Sequence, residues 1–469
     1  MQREQTGLRA AARKLIGSRA FYAMVLGIVI PIMIQNAITN FVNLLDNIMV
    51  GQVGTEPMSG VAIANQMMFV FNLCVFGCIS GAGIFSAQFF GAGNHEGVRS
   101  CFRYKLYSCA ALVTLAILLF TTRGSWLVSL YLHDDGNAAK VAETLSHGLR
   151  YLHIMLWGLP AFALTQVYAG TLRETGETAL PMRAGIVAVF VNLVFNYLLI
   201  FGHLGFRPMG VEGAAVATVL SRYVEFAIVM LSAHLNPGKY PFLRGVYATP
   251  HVPRKLVGQI TVKGLPLLVN EAMWSLGMAT LVQCYSVRGL DVVAAMNISS
   301  TISNLFSVTF LSMGSATAIL VGQALGANDL GGAKDLARKL IAFTVFVSAV
   351  TGLIMLGVAP LIPRAYNTEP HVRALATHLL MIFACCMPLF AYANAAYFTL
   401  RSGGKTMLTF VFDSCFTWVI LVPMAWILVH WTGMDVRGIY LCVQLSDIIK
   451  VAFGHVLIQK GIWINNMVA

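Results

Sequence analysis

Three acidic residues stand where the surrounding sequence is apolar: Asp46, Glu271 and Asp413. Asp46 follows a series of asparagines, Asn36, Asn40, Asn43 and Asn47, spaced four, three and four residues apart, which on a helix form one polar stripe with the acid alongside. A carboxylate among amides inside a bilayer can hold a proton, Na+ or an organic cation, whereas amides alone serve equally well to join neighbouring helices. Glu271 comes five residues after Pro266, with no cation beside it in the sequence, so it too is a candidate proton or cation site. Asp413 lies near the start of its apolar block, where a short shift would solvate it. Asn192 and Asn196 share a helix face and Thr218 lies in the next block; on spacing alone all three read as helix packing. Arg222 with Glu225, and Asp447 with Lys450, are three apart and read as ion pairs. Pro31 and Pro266 each remove a backbone hydrogen bond inside an apolar block, which gives either a gating hinge or a fixed bend.

These residues have to be carried by membrane-spanning helices. The chain has 469 residues, of which 58% are hydrophobic and 11% charged, where a soluble domain carries roughly 25% charged residues. Its mean hydropathy is +0.74. The apolar blocks are long, which suits helices and not the alternating pattern of an outer-membrane barrel. Twelve spans are predicted, at 21–45, 59–83, 101–121, 145–169, 180–202, 211–233, 259–285, 292–320, 337–360, 372–398, 405–430 and 436–459. The amino-terminal arm, the loops after even-numbered spans and the carboxyl end hold about 20 of the 31 Lys and Arg, so both termini are expected to be cytoplasmic.

The spans form two sets of six. Ala87 to Arg99, AQFFGAGNHEGVR, returns as GQALGANDLGGAK at Gly322 to Lys334, offset by 235 residues without a gap. The same offset pairs Pro31 with Pro266, Phe71 with Phe306 and Ser80 with Ser315. Residues 234–258, rich in Pro, Gly and basic side chains, cannot continue a helix and divide the halves. The expected organisation is an arm at 1–20, an amino lobe at 21–233, a cytoplasmic linker at 234–258, a carboxyl lobe at 259–460 and a tail at 461–469. Six is even, so both halves enter from the same side as parallel repeats, which is a transporter's plan.

The pattern Asn43-Leu-Leu-Asp46-Asn-Ile-Met-Val-Gly51-Gln-Val-Gly54, followed by Ala87-Gln-Phe-Phe-Gly91-Ala92, resembles the multidrug and toxic compound extrusion family. So do Gly210-Val211-Glu-Gly213-Ala214-Ala215-Val-Ala-Thr218 and the Leu172-Arg173 and Leu400-Arg401 loops, and the resemblance runs over nearly the whole chain. It implies an all-α membrane protein with two six-helix lobes in a V, exporting cationic lipophilic compounds against inward Na+ or proton flow. It also implies that Asp46 forms a cation site with Asn192, Asn196 and Thr218. Asn196 stands where members with that site carry a second acid. Glu271 matches the span 7 acid of another branch, whose span 10 acid is missing here, so the resemblance leaves the coupling ion open. Asn36, Asn40 and Asn43 are expected in the wall of the substrate cavity.

Other classes find little support. No zinc-ligand spacing, nucleophile motif or phosphate-binding Gly-rich motif is present, and the His residues are scattered singly, so no enzyme activity, cofactor or metal other than Na+ is expected. A lipid-linked oligosaccharide flippase of the same superfamily is the alternative, but it would need basic residues in its cavity, and the unpaired charges inside the spans read as acidic. The expected partners are small organic cations and membrane lipid, with no nucleic acid. A monomer in the bacterial inner membrane is expected.

Overall fold

The computed structural model describes residues 15–130, 138–366 and 368–469. Among these residues there are helices and loops and no strands. The helices are Arg19–Gly51 (span 1), Thr55–Gly91 (span 2), His95–Ser129 (span 3), Ala179–Phe201 (span 5), Val211–Leu235 (span 6), Arg254–Ser286 (span 7), Leu290–Gly326 (span 8), Leu330–Val358 (span 9) and Pro370–Ser402 (span 10). Span 4 is a pair, Ala138–Leu156 and Gly158–Glu174, bent by 48°. Span 11, Thr406–Trp431, contains two π-helical stretches, Val411–Cys415 and Thr417–Leu421. Span 12, Val436–Lys460, is interrupted at Ser446. With the bent pair taken as one, the described residues supply the twelve apolar spans read from the sequence.

Contacts divide the chain into two compact units, one of residues 1–33, 87–93 and 265–469, the other of residues 34–86 and 94–264. These units follow the two sequence halves except that the first part of span 1 and the end of span 2 group with the second half, and the first part of span 7 with the first half. Inside spans 1 and 7 the boundaries fall next to Pro31 and Pro266, although both helices continue through their proline.

In the unit of residues 34–86 and 94–264, small residues let helices approach closely. A β-carbon on Gly60 of span 2 would come within 2.6 Å of the Thr144 carbonyl oxygen of span 4. Lys105 of span 3 is fully buried and joins Glu174, with its ammonium also donating to Thr171 at 3.1 Å. A buried lysine is tolerable only with such partners. The sequence predicts a linker unable to form a long helix, and residues 236–253 form a pinned loop around a short helical turn, Pro241–Leu243. Arg103, 4% exposed, donates to the carbonyls of Val246 at 2.8 Å and His251 at 3.3 Å and pairs with Glu96 at 3.1 Å. Phe242 and Leu243 are buried beneath this loop.

In the other unit, spans 8, 9 and 10 pack around Met313, Leu320, Leu340, Ala395 and Leu400. The duplicated stretches meet here. A β-carbon on Gly91 would lie 1.9 Å from the carbonyl oxygen of Gln323, and one on Gly326 would lie 1.9 Å from that of Gln88. Only glycine permits this approach. The segment after span 12 closes over the same crossing: Trp463 is fully buried, and the buried Gln88 amide donates to the carbonyls of Ser402 at 2.9 Å and Asn465 at 3.2 Å. Gln88 Oε1 accepts from the backbone N–H of Met467 at 2.8 Å.

The rest of the repeated motif is capping chemistry. Asn94 accepts from the backbone N–H of Gly97 at 2.8 Å at the start of span 3, and its equivalent Asp329 accepts from Gly332 at 2.8 Å at the start of span 9. Each satisfies one of the free N–H groups that begin a helix.

Candidate ion-coupling sites

Beyond Arg183 in its second turn, span 5 carries two amides four residues apart, Asn192 and Asn196, and both are buried. They form a directed hydrogen-bond chain. Asn196 Nδ2 donates to Asp46 Oδ1 at 2.5 Å and to Asn192 Oδ1 at 3.1 Å, and Asn192 Nδ2 donates to Thr218 Oγ1 at 3.3 Å. The Thr218 hydroxyl donates to the Ala214 carbonyl at 2.9 Å, so its oxygen faces Asn192 as an acceptor. Three helices, spans 1, 5 and 6, therefore converge on one carboxylate.

The arrangement leaves a vacancy in the hydrogen-bond pattern. Both donations of Asn196 come from Nδ2, and its Oδ1 is buried without a partner among the described residues. An unpaired buried polar atom costs about 1–3 kcal/mol. Beside Asp46, an open carbonyl oxygen suits a hard cation, and the carboxylate suits a proton or Na+. Asp46, Asn196, Asn192 and Thr218 are all oxygen donors, which fits Na+ on chemistry. A cavity of about 50 Å³ touches Thr218 and is lined also by Asn72, Phe162 and Arg222, large enough for water. The cation acting on Asp46 is Arg222, which pairs with Glu225 at 3.3 Å as expected and lies 5.2 Å from the centre of the Phe162 ring.

Glu271 of span 7 belongs to the other unit and is partly buried. It makes no hydrogen bond or ion pair among the described residues; the charges acting on it are those of Arg401 and Asp413. Asp413 sits on the first π-helical stretch of span 11. Its Oδ1 accepts from Lys450 Nζ at 2.6 Å, and its Oδ2 from Asn270 Nδ2 at 3.3 Å. Here the sequence reading needs correction. Asp447 and Lys450 were expected to pair along span 12, but the break at Ser446 starts a new helix at Asp447, and Lys450 reaches across to Asp413. Lys450 is further held over the rings of Phe412 and Phe416, at 5.3 and 5.7 Å.

Asn36 and Asn40 lie on exposed faces of span 1; Asn36 has a polar or electrostatic partner. The side chains of Asn43 and Asn47 fall outside the described residues. Four features escaped the sequence reading: the Lys105–Glu174 pair, the Arg103 clamp, the Lys450–Asp413 pair and the hub at Gln88. Lys105 and Lys450 carried a signal, a lysine in an apolar block, but their partners are 69 and 37 residues away. Nothing local names such partners.

Twelve apolar spans in a duplicated arrangement, with a carboxylate, two amides and a hydroxyl contributed by three of them and joined in one hydrogen-bond chain, define a secondary transporter. The family model described as MatE matches residues 31–198 and 266–427, two stretches that begin at the equivalent prolines. The chain belongs to this family, the multidrug and toxic compound extrusion transporters. It is 24% identical over 416 residues to the probable multidrug resistance protein YoeA of Bacillus subtilis strain 168, covering 88% of each chain. It is 24% identical over 440 residues to the probable multidrug resistance protein NorM of Thermotoga maritima, covering 92% of this chain and 91% of that one. Its fold is similar to that of a multidrug resistance MATE family transporter solved in an outward-facing conformation, with a TM-score of 0.83 and 21% identity over 96% of this chain and 98% of the other.

Proposed function

We propose that this multidrug transporter exports organic, cationic lipophilic compounds in exchange for Na+ or protons, with Asp46 as the principal coupling group. The observation that carries this reading is the chain Asp46–Asn196–Asn192–Thr218, in which Asn196 Oδ1 has no partner among the described residues. A cation or proton entering from outside binds there and disfavours the positively charged substrate. After the turn inward, release of the ion frees the negative charge for the next substrate. Coupling requires only that the two ligands compete for one charge or favour opposite states.

Glu271 is a second acid that the same competition can use, since no hydrogen bond from the described residues holds it. Asp413 is the weakest coupling candidate, because Lys450 and Asn270 already satisfy both its oxygens. Asn36 and Asn40 are assigned to the substrate path on their exposed faces of span 1. Pro31 and Pro266 are assigned as hinges, because each lies next to a boundary between compact units inside an unbroken helix. We assign the protein to a bacterial inner membrane as a monomer with both termini in the cytoplasm; the basic-residue distribution supports that orientation.

The test is efflux of ethidium from proteoliposomes under imposed Na+ and proton gradients, applied separately. Export driven by one of the two names the coupling ion. No export under either overturns the assignment.

A further inference from the structure

Arg364 and Arg373 are two basic side chains with no acidic or carbonyl partner among the described residues, and one cavity brings them together. Neither makes a side-chain hydrogen bond or ion pair among the described residues, and Arg373 Nε is buried without an acceptor. The two arginines line one cavity of about 480 Å³ where the end of span 9 meets the start of span 10, together with Pro360, Pro363, Thr377 and His378.

The neighbouring polar groups do not answer this charge. The Thr377 hydroxyl donates to the Arg373 carbonyl at 2.9 Å, and His378 Nδ1 bonds the Ala374 carbonyl at 2.6 Å. The nearby acids Asp291 and Glu369 are both engaged by His371, at 2.8 and 3.2 Å. The cavity therefore holds two guanidinium groups and an uncommitted imidazole nitrogen, with no counter-ion among the described residues. Span parity puts it on the face opposite the link between spans 8 and 9, where basic residues are scarce, so the tendency that keeps Lys and Arg in cytoplasmic loops does not explain them.

A guanidinium is a planar fork that matches the oxygens of phosphate. The remaining walls are apolar, and Leu361, Leu353 and Ile354 nearby are 59%, 68% and 56% exposed, as side chains facing lipid would be. A headgroup needs a cationic pocket beside such an apolar surface, whereas free phosphate needs only the charge. We infer that Arg364 and Arg373 hold the phosphodiester headgroup of an anionic glycerophospholipid in this cavity.

The test is native mass spectrometry of the full-length protein in detergent, titrated with phosphatidylglycerol in an excess of phosphatidylcholine. The wild type should retain phosphatidylglycerol, each single change Arg364→Gln or Arg373→Gln should weaken it about tenfold, and the double variant should lose it. Arg207→Gln, which removes an exposed charge from the loop between spans 5 and 6, should leave it unchanged. If the double variant does not fold, Arg364→Lys and Arg373→Lys replace it, since they keep the charge without the fork; the expected result is intermediate retention. Equal retention by wild type and the glutamine or lysine variants overturns the proposal. So does displacement of the lipid by millimolar inorganic phosphate, which would make the cavity a free-anion site.

Discussion

Gly91 and Gly326 pack reciprocally: each lies under the carbonyl oxygen of the glutamine three residues before the other, so that a β-carbon on either would stand 1.9 Å from an oxygen. The contact joins the two copies of the duplicated stretch. Because those oxygens belong to helical backbone, they cannot move aside as a side chain can. Gly91→Ala and Gly326→Ala should each destabilise the protein by about 1–3 kcal/mol or more, read as a fall in melting temperature in detergent. Gly331→Ala, whose β-carbon would meet nothing within 4 Å, should have no such effect. Equal melting of all three would remove the crossing from the account.

Asn196 hydrogen-bonds both Asp46 and Asn192 through its side chain. With Na+ as the driving ion, Asn196→Ala takes away the open amide oxygen beside Asp46, a loss of roughly ten- to hundredfold in ion affinity. The Na+ concentration needed for half-maximal efflux should rise by that factor, with export recovered at saturating Na+. An unchanged half-maximal concentration would show that the amide has no part in ion binding.

Lys450 and Asp413 provide a test of whether a partly buried acid is structural. Lys450→Met leaves Asp413 without its cation, which for a buried pair costs about 3–5 kcal/mol. The double change Lys450→Met with Asp413→Asn should recover most of that stability and should export dye. Full stability with no export would return Asp413 to the coupling machinery.

The linker carries a pH-dependent tie. Glu177 pairs with Lys239 and accepts from Tyr240 Oη at 3.4 Å. Burial raises its carboxyl, but the hydrogen bonds from Lys239 and from the Leu180 N–H outweigh this and hold it below its ordinary value of 4.5. A depressed carboxyl contributes stability above its unfolded pKa, and that contribution is lost as pH falls through the lower, folded value. Hydrogen exchange of residues 236–248 should therefore be slower in wild type than in Glu177→Gln at neutral pH, with the difference vanishing as pH falls below about 4.5. A difference that persists in acid would contradict the tie.

What the sequence made legible depended on the range of the interaction. The spans were readable because hydrocarbon forces a long apolar run on each helix, and the duplication because Gln88, Gly91 and Gly97 recur at one offset. The polar spacing of Asn192 and Asn196 marked a helix face, but their connection to Asp46 crosses 150 residues and came only from family resemblance. Lys450 was assigned to the acid three residues away, because helical spacing sees local neighbours and cannot anticipate the break at Ser446. Residues 461–469 were legible only as a tail after the last span, not as the cover over Gln88 with Trp463 buried inside it.

The most direct test of Asp46 as the coupling group is to measure the ion released when substrate binds. Ethidium is added to purified protein in weakly buffered solution, and released protons or Na+ are counted for wild type and Asp46→Asn. The account predicts release by wild type, and ethidium binding without release by the variant. Equal release from both would contradict it and transfer the coupling to Glu271.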